Sequence, residues 1–393
     1  MHIGRTLPPA ATPLCFNDIV SGIVGLFGGQ KTIKRLETEF KDVYGLKHCF
    51  ALSSGKAALV LILQALSELL PERDEVLIPA YTCFSVPSAI VRAGLRVRLC
   101  DMEAGSLDFN FDRLEKQLDN PRLLCVIPTH LFGIPADVER VKSMVARRGI
   151  SVVEDAAQAM GGEWNGRKLG TLGDVGLFSM GRGKAFSTVE GGVILTDDDL
   201  IGRTIRKRLS TVAGPGATDC LRLILYAFAL SFLISPPIYW LPKSLPFLKL
   251  GETKFNTAFP IRSFSPFQAG VAKGWKSKIN ELKGIRLRNA QKIAAHGILL
   301  AGVHHSGIPD LIRFPVLVTS ADDKRRILQE SEKMGLGISG GYPDSIDGII
   351  ELGYRSEGER FPNATDLAER LLTLPIHSFV RNRDIHKIAQ LLA

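Results

Sequence analysis

One lysine of the chain lies in a glycine-rich loop between two predicted strands, where an amine could be presented to a ligand. The segment GDVGLFSMGRGKAFSTVEGG covers residues 173–192, and its loop carries Arg182 and Lys184 before the turn at Glu190. A lysine at a strand end can act as a Schiff-base nucleophile or bind phosphate. Because a lone loop lysine is by default solvated surface, the interpretation depends on what the rest of the chain places beside it.

Two adjacent carboxylates follow another predicted strand. In VVEDAAQAMGG, residues 152–162, an apolar strand delivers Glu154 and Asp155 at its carboxyl end. Ligands of parallel α/β sheets bind outside that end of the strands. An aspartate at this place can also be only the N-cap of the following helix, and the segment alone leaves both readings open.

A third segment could bind phosphate. Ser53, Ser54 and Gly55 precede the helical run KAALVLILQALSELL. The free N–H groups and the dipole of a helix N-terminus attract phosphate, although Ser and Gly are also ordinary helix caps. Together the three segments suit pyridoxal phosphate: the helix end would take the phosphate, the lysine the aldehyde, and Asp155 would keep the pyridine nitrogen protonated.

The elements that must position these residues alternate between strands and helices. Such alternation predicts a mainly parallel sheet covered by helices on both faces, a three-layer α/β fold. The predicted strands are 75–80, 96–101, 123–129, 150–154, 175–180 and 192–196, with helices over 33–44, 56–70, 85–93 and 136–148 between or before them.

The pattern changes after residue 254 and predicts a smaller α+β domain. We expect a long polar helix over 266–301, a strand over 312–318, a helix over 321–334 and a final helix from residue 384. The predicted organisation is an N-terminal arm (1–30), a large domain (31–284) and a small C-terminal domain (285–393).

Composition limits the class of protein. The chain has 393 residues, of which 23% are charged and 45% hydrophobic, and its net charge is +9. These values exclude a disordered or coiled-coil protein. The basic excess favours anionic partners, but no basic run or known module indicates nucleic acid. Six dispersed cysteines without a Cys-x-x-Cys pair indicate reduced thiols, a cytoplasmic protein and no metal site, and no signal peptide is visible.

One stretch is unusual for a cytoplasmic protein. Residues 221–241 read LRLILYAFALSFLISPPIYWL and begin an apolar insert of the large domain at about 221–250. The apolar run before Pro236 is shorter than the ~20 residues that a spanning helix needs. With flanking basic residues, it predicts a peripheral contact with the inner face of the cytoplasmic membrane; the alternative is a helix pair buried in a dimer.

Several co-linear motifs resemble one family, the DegT/DnrJ/EryC1/StrS sugar aminotransferases, which are fold-type I enzymes dependent on pyridoxal phosphate. The resemblance covers most of the chain. The matching segments are LETEF (36–40), SGKAAL (54–59), DEV (74–76), HLFGIPAD (130–137), EDAAQ (154–158), the lysine block FS-x4-K-x5-EGG (178–192) and LTLPIH (372–377).

The resemblance implies a role for each matching residue. Lys184 would hold the cofactor and move the proton, and Asp155 would pair with the pyridine nitrogen. The other cofactor contacts would be Ser54, Gly55, Lys56, Cys83, Phe84, Gln158 and Ser179, and the substrate contacts would be Arg182, Glu190 and His130. A homodimer with a shared active site is also implied.

The chain departs from the family pattern at three places. Lys56 stands where a threonine is common, and Cys83 stands where an aromatic residue usually stacks on the cofactor, with Tyr81 and Phe84 beside it. The loop after Ser179 is slimmer and more basic than is usual. Family members with histidine instead of the lysine are dehydratases, and Lys184 argues against that branch.

The resulting hypothesis is an aminotransferase that moves an amino group from an amino acid to a nucleotide-linked keto sugar. Glutamate is the expected donor, and the reaction would serve surface polysaccharide or amino-sugar biosynthesis. Two alternatives stay open. One is a catalytically altered relative that acts as a scaffold at the membrane, and the other is a pyridoxal-phosphate enzyme of another reaction type, such as a dehydratase.

Overall fold

The computed structural model describes residues 3–245, 253–302, 307–355, 358 and 360–392. The α-helices are α1 (Phe16–Gly28), α2 (Gln30–Tyr44), α3 (Gly55–Leu69), α4 (Ser85–Arg92), α5 (Phe111–Glu115), α6 (Val138–Val145), α7 (Asp199–Leu209), α8 (Ala217–Leu233), α9 (Pro236–Lys243), α10 (Pro266–Val271), α11 (Trp275–Ala294), α12 (Ala321–Met334), α13 (Pro362–Arg370) and α14 (Asn382–Leu392). The strands are β1 (His48–Leu52), β2 (Glu75–Pro79), β3 (Arg96–Cys100), β4 (Leu123–Val126), β5 (Ser151–Asp155), β6 (Glu163–Trp164), β7 (Arg167–Lys168), β8 (Val175–Ser179), β9 (Gly192–Thr196), β10 (Phe314–Leu317) and β11 (Leu371–Leu374).

A seven-stranded sheet in the order β1-β9-β8-β5-β4-β2-β3 forms the centre of the large domain. Its strands are parallel from β8 to β3, whereas β9 is antiparallel to both β8 and β1. Neighbouring side chains of one strand enter different cores: Val76 and Ile78 pack on one face of the sheet, and Leu77 packs on the other. Both faces are therefore covered, which confirms the predicted three-layer fold with a mainly parallel sheet.

The smaller C-terminal part is built on the antiparallel pair β10–β11. Helix α12 has the predicted bounds because Ser320 caps its first turn and Gly335 ends it in the left-handed conformation, at φ +65°. The long helix predicted over 266–301 is divided at Gly274, which has a φ of +73°. The predicted boundary at residue 285 lies inside α11, which runs unbroken across it.

The N-terminal arm crosses between the two parts of the chain. The N–H of Leu7 donates to the carbonyl of Gly335 over 2.9 Å, and Arg5 pairs with Asp384 at 2.8 Å. Further along, the Thr12 hydroxyl donates to the carbonyl of Lys184 over 2.5 Å. The arm thus connects the C-terminal elements to the loop that carries the lysine.

The apolar insert forms α8 and α9, and its residues 246–250 lie outside the described part. Helix α8 packs against α1 through a small apolar cluster that includes Ile19, Leu223 and Ala227. The outward sides of both helices remain apolar, and we call this surface the apolar face. Its members, all exposed, are Phe16, Val20, Ile23, Val24 and Phe27 of α1 and Leu221, Leu225, Tyr226, Phe228 and Phe232 of α8. Across the described residues, no helix combines the length and apolar character that crossing a membrane requires.

Candidate active site

Lys184 lies in the connection between β8 and β9, and its backbone is held from two directions. Its carbonyl accepts hydrogen bonds from the Thr12 hydroxyl at 2.5 Å and from the Arg286 guanidinium at 3.3 Å. Arg286 is buried on α11 and also donates to the carbonyl of Ala185 at 2.9 Å. The main chain of the lysine is therefore fixed independently of its side chain.

The Lys184 side chain is half-buried, and its amine has no hydrogen bond or ion pair within the described part of the chain. Burial lowers the pKa of this amine, and the positive charge of Arg313 lowers it further, while Cys83 and Asp155 act in the opposite direction. A lysine with a lowered pKa is more often neutral, which is the state a nucleophile or base needs.

Asp155 ends β5, and its carboxylate faces the lysine. One oxygen accepts the N–H of Ala157 at 3.0 Å, and its main-chain carbonyl accepts the N–H of His130 at 3.0 Å. Burial raises the pKa of Asp155, whereas the Ala157 N–H and the Lys184 charge act to lower it. The carboxylate is thus under-compensated by protein groups, and a cationic ligand would complete its environment.

Glu154 and His130, the latter a predicted substrate contact, form a pair whose side chains have no exposed surface. The Nε2 atom of His130 lies 2.8 Å from Glu154, and its Nδ1 accepts the N–H of Ala136 at 2.9 Å. Burial favours a raised pKa for Glu154, but the bonds from His130, Gly170 and Gly173 hold that pKa below its usual value. Both ring nitrogens of His130 are therefore engaged by protein groups at the strand end.

The predicted phosphate site is assembled from two separate segments. Ser54 caps α3 by accepting the N–H of Ala57 at 3.1 Å, so the helix begins at Gly55. A Cβ atom at Gly55 would lie 2.9 Å from the Cβ of Ser179, so only glycine lets the helix end approach the Ser179 hydroxyl. The free N–H groups at this helix end and that hydroxyl form a cradle of the kind that binds phosphate.

Lys56 directly follows Gly55 of this cradle, but its amine contacts an aromatic ring. Its amine lies over the ring of Phe259, 4.3 Å from the centroid, and burial lowers its pKa against the opposing influence of Cys83 and Glu190. The departure from the family threonine therefore places a half-buried cation near the phosphate side.

Gln158 is held in place by groups that the sequence did not connect with it. Its Oε1 accepts the N–H of Phe132 at 3.3 Å, and its amide donates to the Tyr342 hydroxyl at 2.9 Å. Phe132 adopts a φ of +58°, an unusual value for a residue with a side chain, and its ring stacks on Tyr342 at 6.1 Å. Tyr342 belongs to the Gly-rich segment 335–342 that follows α12, so this segment of the C-terminal part contacts Gln158.

The structure separates the three candidates for the ring-stacking position. Tyr81 is fully buried and accepts the N–H of Tyr342 at 3.2 Å, and Phe84 is 8% exposed. Cys83 is half-buried, and its thiol interacts electrostatically with both Lys56 and Lys184. Of these three residues, Cys83 is the one whose thiol influences the pKa of both lysines.

Glu190 and Arg182 lie on the same connection as the lysine. Glu190 follows Val189, a buried residue with a φ of +75°, and a β-branched residue in that region is strained. The turn is fixed because Gln268 and Thr188 both donate to the Glu190 carbonyl, at 2.7 and 2.6 Å. Arg182 is exposed, and its charge reaches Tyr239 of α9.

Arg313, Tyr342 and Tyr239 are site residues that the sequence reasoning missed. Each of them interacts with another group of the site, and Arg313 acts on the lysine directly. No motif carries them, and 129 positions separate Arg313 from Lys184, so only the folded arrangement reveals them.

The assembled groups match the chemistry of one ligand. A phosphate cradle, an under-compensated buried carboxylate and an amine of lowered pKa belong to the start of α3, the end of β5 and the connection after β8. Pyridoxal phosphate presents a phosphate, a basic ring nitrogen and an aldehyde to those three groups. The residues present therefore fit this cofactor.

Solved structures with the same fold define the class. A Helicobacter pylori aminotransferase of pseudoaminic acid biosynthesis superposes with a TM-score of 0.79 over 99% of this chain and 98% of its own, at 16% identity. An Escherichia coli GDP-4-keto-6-deoxy-D-mannose-3-dehydratase with bound hydrated pyridoxal phosphate has a TM-score of 0.77 over all of both chains, at 18% identity. At these identities the similarity establishes the fold, which is fold type I.

Residues 24–217 match the model of the DegT/DnrJ/EryC1/StrS aminotransferase family. GDP-perosamine synthase of Vibrio cholerae is 32% identical over 186 residues, which are 47% of this chain and 49% of that protein. L-glutamine:2-deoxy-scyllo-inosose aminotransferase of Streptomyces kanamyceticus is 34% identical over 176 residues, 45% of this chain and 40% of that protein. The matched part thus spans about half the length or less of these curated relatives.

Proposed function

We propose that the protein is an aminotransferase that uses pyridoxal phosphate to move an amino group from an α-amino acid to a nucleotide-linked keto sugar. The observation that carries the proposal is the meeting of Lys184, Asp155 and the Ser54–Gly55–Ser179 cradle at one edge of the sheet. The match to the family model supports the reaction class, and the names of both relatives support an amino group placed on a sugar or cyclitol.

The surroundings of each side chain suggest its role in the proposed reaction. Bound pyridoxal phosphate would supply an electron sink for the bond changes at the donor carbon. Asp155 would keep the proton on the ring nitrogen, and Ser54, Gly55 and Ser179 would anchor the phosphate. Lys184 would hold the cofactor through Nζ and, once released, would use the same atom to move the proton between donor and cofactor.

The remaining predicted residues would surround the ring and the substrates. Gln158, fixed by Phe132 and Tyr342, would lie against the ring, with Cys83 near its other side. Arg182 and Glu190 are free at the outer part of the loop to contact a sugar or its diphosphate. Phe84, which is nearly buried, would shape the wall behind Cys83.

The experiment is an absorbance spectrum of the purified protein with pyridoxal phosphate, before and after glutamate is added. We expect a band of enzyme-bound cofactor that is lost in Lys184→Ala, kept in the matched control Lys292→Ala, and bleached by glutamate. Lys292 is a surface residue that bonds Asn382 on the opposite side of α11. A keto sugar should then restore the band and yield an amino sugar.

The other outcomes point to the alternatives. A band that no amino acid bleaches, together with loss of a hydroxyl group from the keto sugar, would indicate a dehydratase. Absence of any Lys184-dependent band would remove the enzymatic proposal and favour a scaffold.

We further propose that the protein is a cytoplasmic homodimer with a shared site, as the family suggests, and that the apolar face binds the inner surface of the membrane. Phe27 and Phe232 are 89% and 66% exposed, which is costly in water. The exposed cations Lys31, Lys34 and Arg222 are close in sequence to this face and suit anionic lipid headgroups. Flotation with anionic vesicles, compared with uncharged vesicles, tests the contact.

A further inference from the structure

Arg313 carries a half-buried guanidinium group that the fold itself does not use. It stands immediately before β10, where the N–H of Ile312 donates to the Phe132 carbonyl at 2.9 Å and Phe314 is fully buried. Within the described residues, no carboxylate, carbonyl or hydroxyl accepts a hydrogen bond from the Arg313 side chain. A half-buried guanidinium without a protein acceptor keeps its N–H donors available, so a bound anion would pair with it.

Arg286 shows how the same chain treats a buried arginine with a purely structural role. Its guanidinium donates to the carbonyls of Ala185 and Lys184 and to the Thr12 hydroxyl. Arg313 follows Ile312, whose N–H is bonded to the Phe132 carbonyl, but its own side chain has no acceptor among the described residues.

The surroundings of Arg313 define that space. Its backbone is joined to Phe132, whose own N–H is bonded to Gln158, so the arginine lies on the Gln158 side of the site. Its charge acts on the Lys184 amine and on the thiol and phenol groups of Cys83, Tyr342 and Tyr239. The phosphate cradle is formed by other residues, at the start of α3.

We propose that Arg313 binds the α-carboxylate of the amino-acid donor, an inference that rests on the proposed amino transfer. The α-carboxylate is attached to the carbon that carries the reacting amine, so a cation beside Lys184 meets it directly. In a nucleotide-linked sugar, the diphosphate is separated from the carbonyl carbon by part of the sugar ring. A planar guanidinium binds a carboxylate through two parallel hydrogen bonds, which fixes the orientation of the donor.

The test separates the two half-reactions of the loaded enzyme. In Arg313→Gln we expect the apparent affinity for glutamate to fall by about 10- to 100-fold, because a charged bidentate hydrogen bond is lost. Arg313→Lys should recover part of the loss. The reaction of the aminated enzyme with the keto sugar should stay at the wild-type rate. Arg325→Gln is the matched control, since Arg325 is an exposed arginine of α12 that pairs with Asp322.

Two further probes make the assignment specific. The amine 4-aminobutyrate lacks an α-carboxylate, so it should react equally with the wild type and Arg313→Gln. Glutarate, which has carboxylates and no amine, should bind the wild-type protein in calorimetry and bind Arg313→Gln at least about tenfold more weakly.

Contrary outcomes are equally clear. A slower reaction with the keto sugar and an unchanged reaction with glutamate would assign Arg313 to the acceptor and overturn the proposal. Equal losses in both half-reactions with a lower melting temperature would make it structural. If no amino acid reacts with the wild type, the proposed function fails, and glutarate binding still decides whether Arg313 is a carboxylate site.

Discussion

The two neighbouring carboxylates at the end of β5 have different surroundings, and this difference assigns their roles. Glu154 accepts hydrogen bonds from His130 and from the backbone N–H groups of Gly170, Leu172 and Gly173, at 2.5–3.0 Å. Asp155 accepts one backbone N–H, from Ala157. The carboxylate of Glu154 is therefore fully hydrogen-bonded to protein groups, whereas the carboxylate of Asp155 can still accept a hydrogen bond from a ligand.

At the residue scale we therefore expect opposite effects of two amide substitutions on the cofactor-free protein at pH 7. Glu154→Gln should lower the free energy of unfolding by about 3 kcal/mol, since it breaks a fully buried charged network. Asp155→Asn should leave the free energy of unfolding unchanged or higher, because burial raises the pKa of that carboxyl and the ionised form is under-compensated. Urea denaturation monitored by circular dichroism measures both values.

The wild type and Asp155→Asn should respond differently to pyridoxal phosphate. The wild type should gain melting temperature on adding it, and Asp155→Asn should gain much less while remaining well folded. A loss of stability in cofactor-free Asp155→Asn as large as that in Glu154→Gln would contradict the distinction between the two carboxylates.

At the element scale, the N-terminal arm is held to the C-terminal part by a buried histidine. The Nε2–H of His377 donates to the Pro8 carbonyl at 2.8 Å, and its Nδ1 accepts the N–H of Phe379 at 3.3 Å. The Nδ1 contact requires the neutral ring, because a protonated Nδ1 can no longer accept a hydrogen bond, and burial lowers the pKa of His377 to about 4. Because the arm also bonds the Lys184 carbonyl, this contact is coupled to the position of the lysine loop.

The stability supplied by this contact should depend on pH. The ordinary pKa of the histidine in an unfolded chain is 6.5, whereas its pKa in the folded protein is about 4. Between these two pH values the unfolded state binds a proton and the folded state does not, so the unfolded state becomes more favourable as the pH falls. We expect the free energy of unfolding to fall by about 3 kcal/mol from this group between pH 6.5 and 4. Glutamine can donate to Pro8 without titrating, so His377→Gln should reduce the fall.

Denaturation curves at several pH values for the wild type, His377→Gln and His386→Gln measure this effect. His386 is exposed on α14, so its substitution should leave the pH dependence as it is. Identical pH profiles for the wild type and His377→Gln would show that the arm contact does not depend on this proton.

The same scale shows what the sequence could predict. Local signals located α3, α4 and α12, because each has an apolar stripe and a cap or breaker next to it. Lys184 and Asp155 could be predicted as site candidates because they follow strands whose carboxyl ends meet at one edge of the sheet. The motif that contains His130 did not reveal its pairing with Glu154, because that contact forms between two separate strand ends. Arg313 and Tyr342 carry no local signal at all, since their place in the site is created by the packing of the C-terminal part on the sheet.

At the scale of the whole molecule, the apolar insert is connected to the candidate active site. Helix α9 directs Tyr239 inward, where it interacts with Arg313 and Arg182, and its Pro236 carbonyl accepts the N–H of Thr6 of the arm. Tyr239 therefore faces the protein and not a lipid surface. The outward part of the insert is α8, so a membrane contact through the apolar face would place the site close to the lipid surface.

The last prediction concerns that contact. Phe27→Glu and Phe232→Glu should each reduce binding to anionic vesicles at least about tenfold, since each phenylalanine contributes about 1.5–3 kcal/mol when it leaves water. Raising the salt concentration should weaken binding further, because the flanking cations Lys31 and Arg222 are screened. Ile350→Glu is the matched control, as Ile350 is 91% exposed but belongs to the C-terminal part. A different result is that light scattering finds the wild type dimeric and both phenylalanine variants monomeric, while the wild type does not bind vesicles. In that case the apolar face is the interface between subunits. That result would be consistent with α1 and α8 covering each other's apolar residues across a dimer, and the membrane contact would be rejected.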